Sequence, residues 1–142
     1  MPLLSRMMIR IAFLNLWVGF GIATLILSYK GHPELFPAYT WQWIPAHVNL
    51  LLIGWMVQLA LGVAYWILPR LYMQGSERGR IRFAVTAPIL INTGVWLHVI
   101  TALIAPWNND MMTLLPAGLF LQLLGVIAFA IHAYPRIRPM FL

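Results

Sequence analysis

His47 and His98 are imidazoles set inside stretches of chain that are otherwise apolar. An imidazole nitrogen is a common metal ligand, and two of them approaching one iron from opposite faces make the ligand set of a six-coordinate haem. Counting by three and four from His47 gives Leu51, Gly54, Gln58 and Gly62 on one helical face. Gly94 stands four residues before His98 and shares its face in the same way. Glycines beside a ligand clear room for a flat macrocycle. They also let helix backbones approach closely, so the spacing leaves both uses open.

The other polar groups narrow the chemistry. Cysteine is absent, which excludes disulfides, thiolate metal sites and a cysteine nucleophile. The acidic residues Glu34, Glu77 and Asp110 fall outside the apolar stretches, which argues against a proton-driven transporter and against paired-carboxylate catalysis. Copper or zinc would need three or four clustered ligands. His132 shares a stripe with Gly118, Gln122 and Gly125, close to Tyr134, Arg136 and Arg138, and reads as an interfacial side chain that snorkels to water. Ligation of a second haem is the alternative there. His32, in "GHPEL", reads as solvated, with weak metal binding beside Glu34 as its alternative.

These residues need elements to position them. The chain has 142 residues, 62% hydrophobic and only 8% charged. Soluble domains carry about 25% charged residues, so lipid is the expected solvent. Four stretches are long enough to span ~30 Å of hydrocarbon: about 7–28, 41–68, 81–105 and 111–134. The first lacks a small-residue cleavage site before Lys30 and is expected to be a mature helix rather than a signal peptide.

Short connections predict antiparallel neighbours, hence an all-α, up-down-up-down four-helix membrane bundle forming one domain over 1–142. The 1–2 connection, "KGHPELFPAYT", is short and proline-rich. Pro69, Gly75 and Gly79 punctuate the 2–3 connection, and in "PWNND" Asn109 or Asp110 is placed to cap helix 4. Trp41, Trp43 and Trp107 form an aromatic belt at one interface, with Tyr72 and Tyr134 at the other.

The net charge of +6 reflects orientation. Arg6, Arg10, Arg70, Arg78, Arg80, Arg82, Arg136 and Arg138 fall on one side of the four spans and Lys30 on the other, which places both termini in the cytoplasm. Nucleic acid is not needed to explain the charge. On this layout His47 and His98 both lie ~10 Å below the outer surface at 1.5 Å per residue, on neighbouring helices.

The segment "AHVNLLLIGWMVQLALGVAYWILPR" resembles the histidine-bearing second helix of the haem-copper oxidase subunit I superfamily, including its nitric-oxide-reductase-like members. The shared pattern is H-x-x-L-x-x-x-G-W, then G-x-x-Y, then L-P-R. The resemblance covers chiefly residues 46–70. It implies one four-helix arc of a twelve-helix protein, with His47 an axial ligand of a low-spin haem b. The copper-site histidines and their tyrosine have no counterpart, so a complete oxidase is not expected. The second ligand would be His98, or His47 of another protomer, in a homodimer or homotrimer or among the subunits of a respiratory complex.

The expected protein is thus a small b-type cytochrome of a prokaryotic cytoplasmic membrane. It would exchange electrons with a quinol, a c-type cytochrome or a partner subunit. The alternatives are a non-catalytic membrane subunit and a haem-based gas-binding protein.

Overall fold

The computed structural model describes residues 1–69 and 80–137. The described residues are all-α, with no strand among them. Four helices are each long and apolar enough to cross a membrane: α1 (Leu3–Gly31), α2 (Ala38–Ile67), α3 (Ile81–Ile104) and α4 (Asn109–Ile137). Arg70, Tyr72, Gly75, Glu77, Arg78, Gly79 and Arg138 lie outside the described residues. Large apolar side chains cover the outside of the bundle: Trp17 is 79% exposed, Leu27 65%, Ile89 59% and Phe120 59%. A contiguous apolar exterior of this kind suits hydrocarbon and not water.

α1, α2 and α4 run longer than their expected spans, α2 and α4 because lead-in turns join them, and α3 ends one residue short of its own. α2 begins as a 3₁₀ turn, Ala38–Trp43, of which residues 38–40 were expected in the preceding loop, and continues as α-helix Ile44–Asn49, π-helix Leu50–Val57 and α-helix Gln58–Ile67. Pro45 sits in the first α turn, where its missing N–H costs nothing. Wide i→i+5 turns of the π kind are rare and concentrate at functional positions. This one lies between His47 and Gln58.

In α3, Pro88 cannot give the hydrogen bond that the carbonyl four residues back would receive. Its own carbonyl accepts a second hydrogen bond, from Asn92 Nδ2 at 2.7 Å. α4 opens with a 3₁₀ turn, Asn109–Leu114. The cap is Asn108, not Asn109 or Asp110: its extended backbone lets Oδ1 accept the Asp110 N–H at 3.1 Å.

Two helix pairs form, and small residues decide how close each becomes. α3 and α4 meet at glycines: a Cβ on Gly94 would lie 2.5 Å from the Gly118 carbonyl, and one on Gly125 2.6 Å from Ile91. α1 and α2 meet at Gly19 against Leu50 and Leu51, Gly54 against Asn15, and Gly62 against Met8 and Ile9. Between the pairs, one buried cluster gathers Ile22, Leu50, Ile91, Val95 and Val99, and a second gathers Met8, Tyr65, Ala87, Phe129 and Ala133. Tyr39 meets Trp107 edge to face with ring centroids 4.6 Å apart and lies tilted against Trp43 at 5.9 Å, tying the start of α2 to the end of α3.

Candidate functional site

The face of α2 that carries His47 is the one its spacing predicts, and it looks at α1. His47 Nδ1 lies 2.9 Å from the Gly19 carbonyl. Leu51 packs on Gly19, Asn15 Nδ2 donates to the Gly54 carbonyl at 2.8 Å, and Gln58 Nε2 donates to the Met8 carbonyl at 3.2 Å. At Gly62, Ser5 Oγ donates to the carbonyl at 2.6 Å. Gly54 and Gly62 therefore make the close approach of two backbones. A macrocycle has no room against them within one chain.

A carbonyl oxygen only accepts, so His47 Nδ1 carries the proton and Nε2 keeps its lone pair. Among the described residues Nε2 has no hydrogen-bond partner. His47 is half-buried, and its neighbour Val48 is 48% exposed. A backbone carbonyl holding one ring nitrogen while the other stays free is the arrangement that orients a metal-ligating histidine.

His98 is set differently. The ring is buried, at 8% exposure, between α4 and the start of α2. The Gly118 Cα faces its backbone and Cβ, and the carbonyls of Pro45 and Leu115 lie beside the ring. Its Nδ1 is buried without a partner among the described residues. Gly94, on the same face, is pressed onto Gly118 and Gln122. His47 thus turns Nδ1 toward α1, and His98 lies between α4 and the start of α2.

A polar layer crosses the bundle further along the helices. Asn92 Nδ2 donates to Gln58 Oε1 at 2.7 Å, and Asn15 Nδ2 reaches Asn92 Oδ1 at 3.4 Å, which links α1, α2 and α3. Asn49 and Gln122 exchange two amide hydrogen bonds of 3.3 Å, linking α2 to α4. In hydrocarbon an unpaired amide costs several kcal/mol, roughly, which explains why these amides find one another.

The opposite end contains a cluster that the sequence reading missed. His132 is not snorkelled to the surface: it is fully buried, its ring tilted on Tyr65 with centroids 5.3 Å apart. Arg136, one turn later, is 3% exposed. Its guanidinium donates to the carbonyls of Tyr65, Leu68 and Pro69, the last at 2.9 Å, and to His132 Nε2 at 3.0 Å. The last turn of α2 leaves carbonyls without helical partners, and an arginine satisfies them as a cap supplied from another helix.

An arginine N–H only donates, so His132 Nε2 accepts and Nδ1 carries the proton, placed 3.3 Å from the Arg80 carbonyl. Both ring nitrogens are engaged. The i, i+4 spacing of His132 and Arg136 and the closing "LPR" of α2 were the available signals. His32 Nδ1 is 3.2 Å from Glu34 Oε1 in an exposed pair, and no group of three or more His, Asp or Glu gathers among the described residues. No protein-family model, curated protein or solved structure matches this chain.

Proposed function

We propose that the chain is an integral membrane b-type haem protein, a four-helix unit of the kind that forms one arc of haem-copper oxidase subunit I, with His47 as its iron ligand. The observation that carries this reading is the 2.9 Å contact of His47 Nδ1 with the Gly19 carbonyl, which leaves Nε2 basic and unpartnered among the described residues. The buried, unpartnered Nδ1 of His98 is the remaining candidate nitrogen in the chain. We take the second axial ligand to be His47 of another copy, in a dimer or trimer, with His98 of the same chain as the alternative. Bound haem would supply one-electron chemistry, and quinol, a c-type cytochrome or a partner subunit would be its electron partner. In this reading the bundle runs up-down-up-down in a prokaryotic cytoplasmic membrane, and the arginine asymmetry supports a cytoplasmic position for both termini.

One set of observations favours a second reading, a non-catalytic membrane subunit. Gly54, Gly62 and Gly94 all abut the chain's own helices, and His132 spends both nitrogens on hydrogen bonds.

The visible spectrum of the purified protein separates the readings. Sharp reduced α and β bands that disappear in His47→Ala and persist in His98→Ala bear out ligation by His47 between copies. Loss in both variants, each still helical by circular dichroism, restores the intrachain pair. A carbon-monoxide shift marks an open axial position and a gas-binding role. Absence of a Soret band after expression with added haemin leaves the second reading.

A further inference from the structure

We infer that the groove between α1 and α3 binds one anionic phospholipid, its acyl chain lying in the groove and its phosphate held by the arginines at the groove's mouth. This rests on the four helices being membrane spans and is independent of haem. The groove has a volume of about 610 Å³ and is walled by Leu3, Met7 and Ile11 of α1 and by Ile81, Val85 and Ile89 of α3. That volume falls in the ordinary range for a bound small molecule, roughly 300–1,000 Å³. Its apolar walls open sideways between helices, toward the exposed Val85 and Ile89, so an apolar chain enters it from lipid.

Two further observations point to the occupant. Tyr65 lines the groove and is 4% exposed, yet its hydroxyl makes no hydrogen bond among the described residues. The hydroxyl oxygen keeps a little accessible surface and is open to a hydrogen-bond partner from outside the chain. A plain hydrocarbon chain cannot provide one, whereas the ester carbonyl of a phospholipid can. The charge at the mouth then selects among lipids. Arg10 shares a helical column with the lining residue Leu3, seven positions before it, and Arg82 with Ile89, seven positions after it, whereas Arg6 and Arg80 only precede Met7 and Ile81 along the chain. All four are exposed, and none forms an ion pair among the described residues. Basic pockets between membrane helices recognise anionic headgroups, each Lys or Arg near the surface strengthening binding about five-fold.

The test uses full-length protein in detergent, with phosphatidylglycerol and phosphatidylcholine of identical acyl chains as probes. Retained lipid is read by native mass spectrometry and stabilisation by the thermal midpoint. One phosphatidylglycerol per chain should be retained, and it should raise the midpoint more than phosphatidylcholine does. Arg10→Gln and Arg82→Gln should each weaken retention about five-fold. Lys30→Gln removes the same charge at the other end and should leave retention unchanged. Val85→Trp fills the groove from a position that is 41% exposed, so the helix core is undisturbed, and should abolish retention. Equal retention of the two lipids, undiminished retention in Val85→Trp, or equal loss in Lys30→Gln would overturn the inference.

Discussion

Arg136 and His132, one turn apart on α4, meet with Nη1 donating to Nε2 at 3.0 Å, and together they close the C-terminal end of α2. The same guanidinium reaches the carbonyls of Tyr65, Leu68 and Pro69 and lies 5.6 Å over the Tyr65 ring. One side chain thereby fastens the end of α2 to α4, two helices that are not neighbours in sequence.

Replacing Arg136 should loosen that end more than a lost surface charge would. Arg136→Met removes the donors and strands several buried carbonyls, at a cost on the order of 3 kcal/mol. Arg136→Lys should recover only part of this, because an ammonium cannot reproduce the planar fork that serves three carbonyls and an imidazole. Thermal unfolding in detergent, with both variants checked for helical content, reads the difference. Equal stability of wild type and Arg136→Met would show that the clamp contributes nothing.

His132→Ala should leave any haem spectrum unchanged while lowering stability. Both of its nitrogens already serve Arg80 and Arg136, so none is free for iron. Loss of the Soret band in a variant with wild-type helicity would contradict this.

Gly94→Ala should separate α3 from α4. The added methyl would meet the Gly118 carbonyl at 2.5 Å and the Gln122 backbone at 2.9 Å, neither of which can swing aside as a side chain could. Gly21→Ala, where nothing lies within 4 Å, is the matching control. The first should cost about 1–3 kcal/mol and the second should be neutral or slightly stabilising. Similar melting curves for the two variants would argue against close packing at Gly94.

The Asn49–Gln122 pair lends itself to a double-mutant cycle. Either single leucine substitution leaves a buried amide unpaired and should cost roughly 1–2 kcal/mol, whereas the double substitution removes both amides and should be close to neutral. Additive losses would mean that the two amides do not act together.

Much of the site's layout was legible along the chain. The stripe His47, Leu51, Gly54, Gln58, Gly62 lies on one face because helical periodicity alone sets which residues share a face. What periodicity does not specify is the neighbour that the face meets. Asn15, Met8 and Ser5 fill the room beside Gly54 and Gly62, and their own helix shows no strong sidedness that would have announced it. The misplacement of His132 has a similar origin. A histidine near a helix end among arginines looks solvated until a second helix end is brought over it.

Sequence by itself determined four apolar helices, the absence of cysteine, and the glycines at which backbones can touch. These are local or compositional properties, fixed by transfer of side chains to hydrocarbon and by the 3.6-residue repeat. Only the tertiary structure decided that His47 turns to Gly19 and His98 to Gly118, that Asn92 meets Gln58, and that Arg136 caps α2. Each of these joins residues 28 or more positions apart in the chain, except the His98–Gly118 approach across one short turn. Such meetings follow from which helix faces fit together, and in lipid that choice rests on close packing and paired polar groups instead of hydrophobic burial.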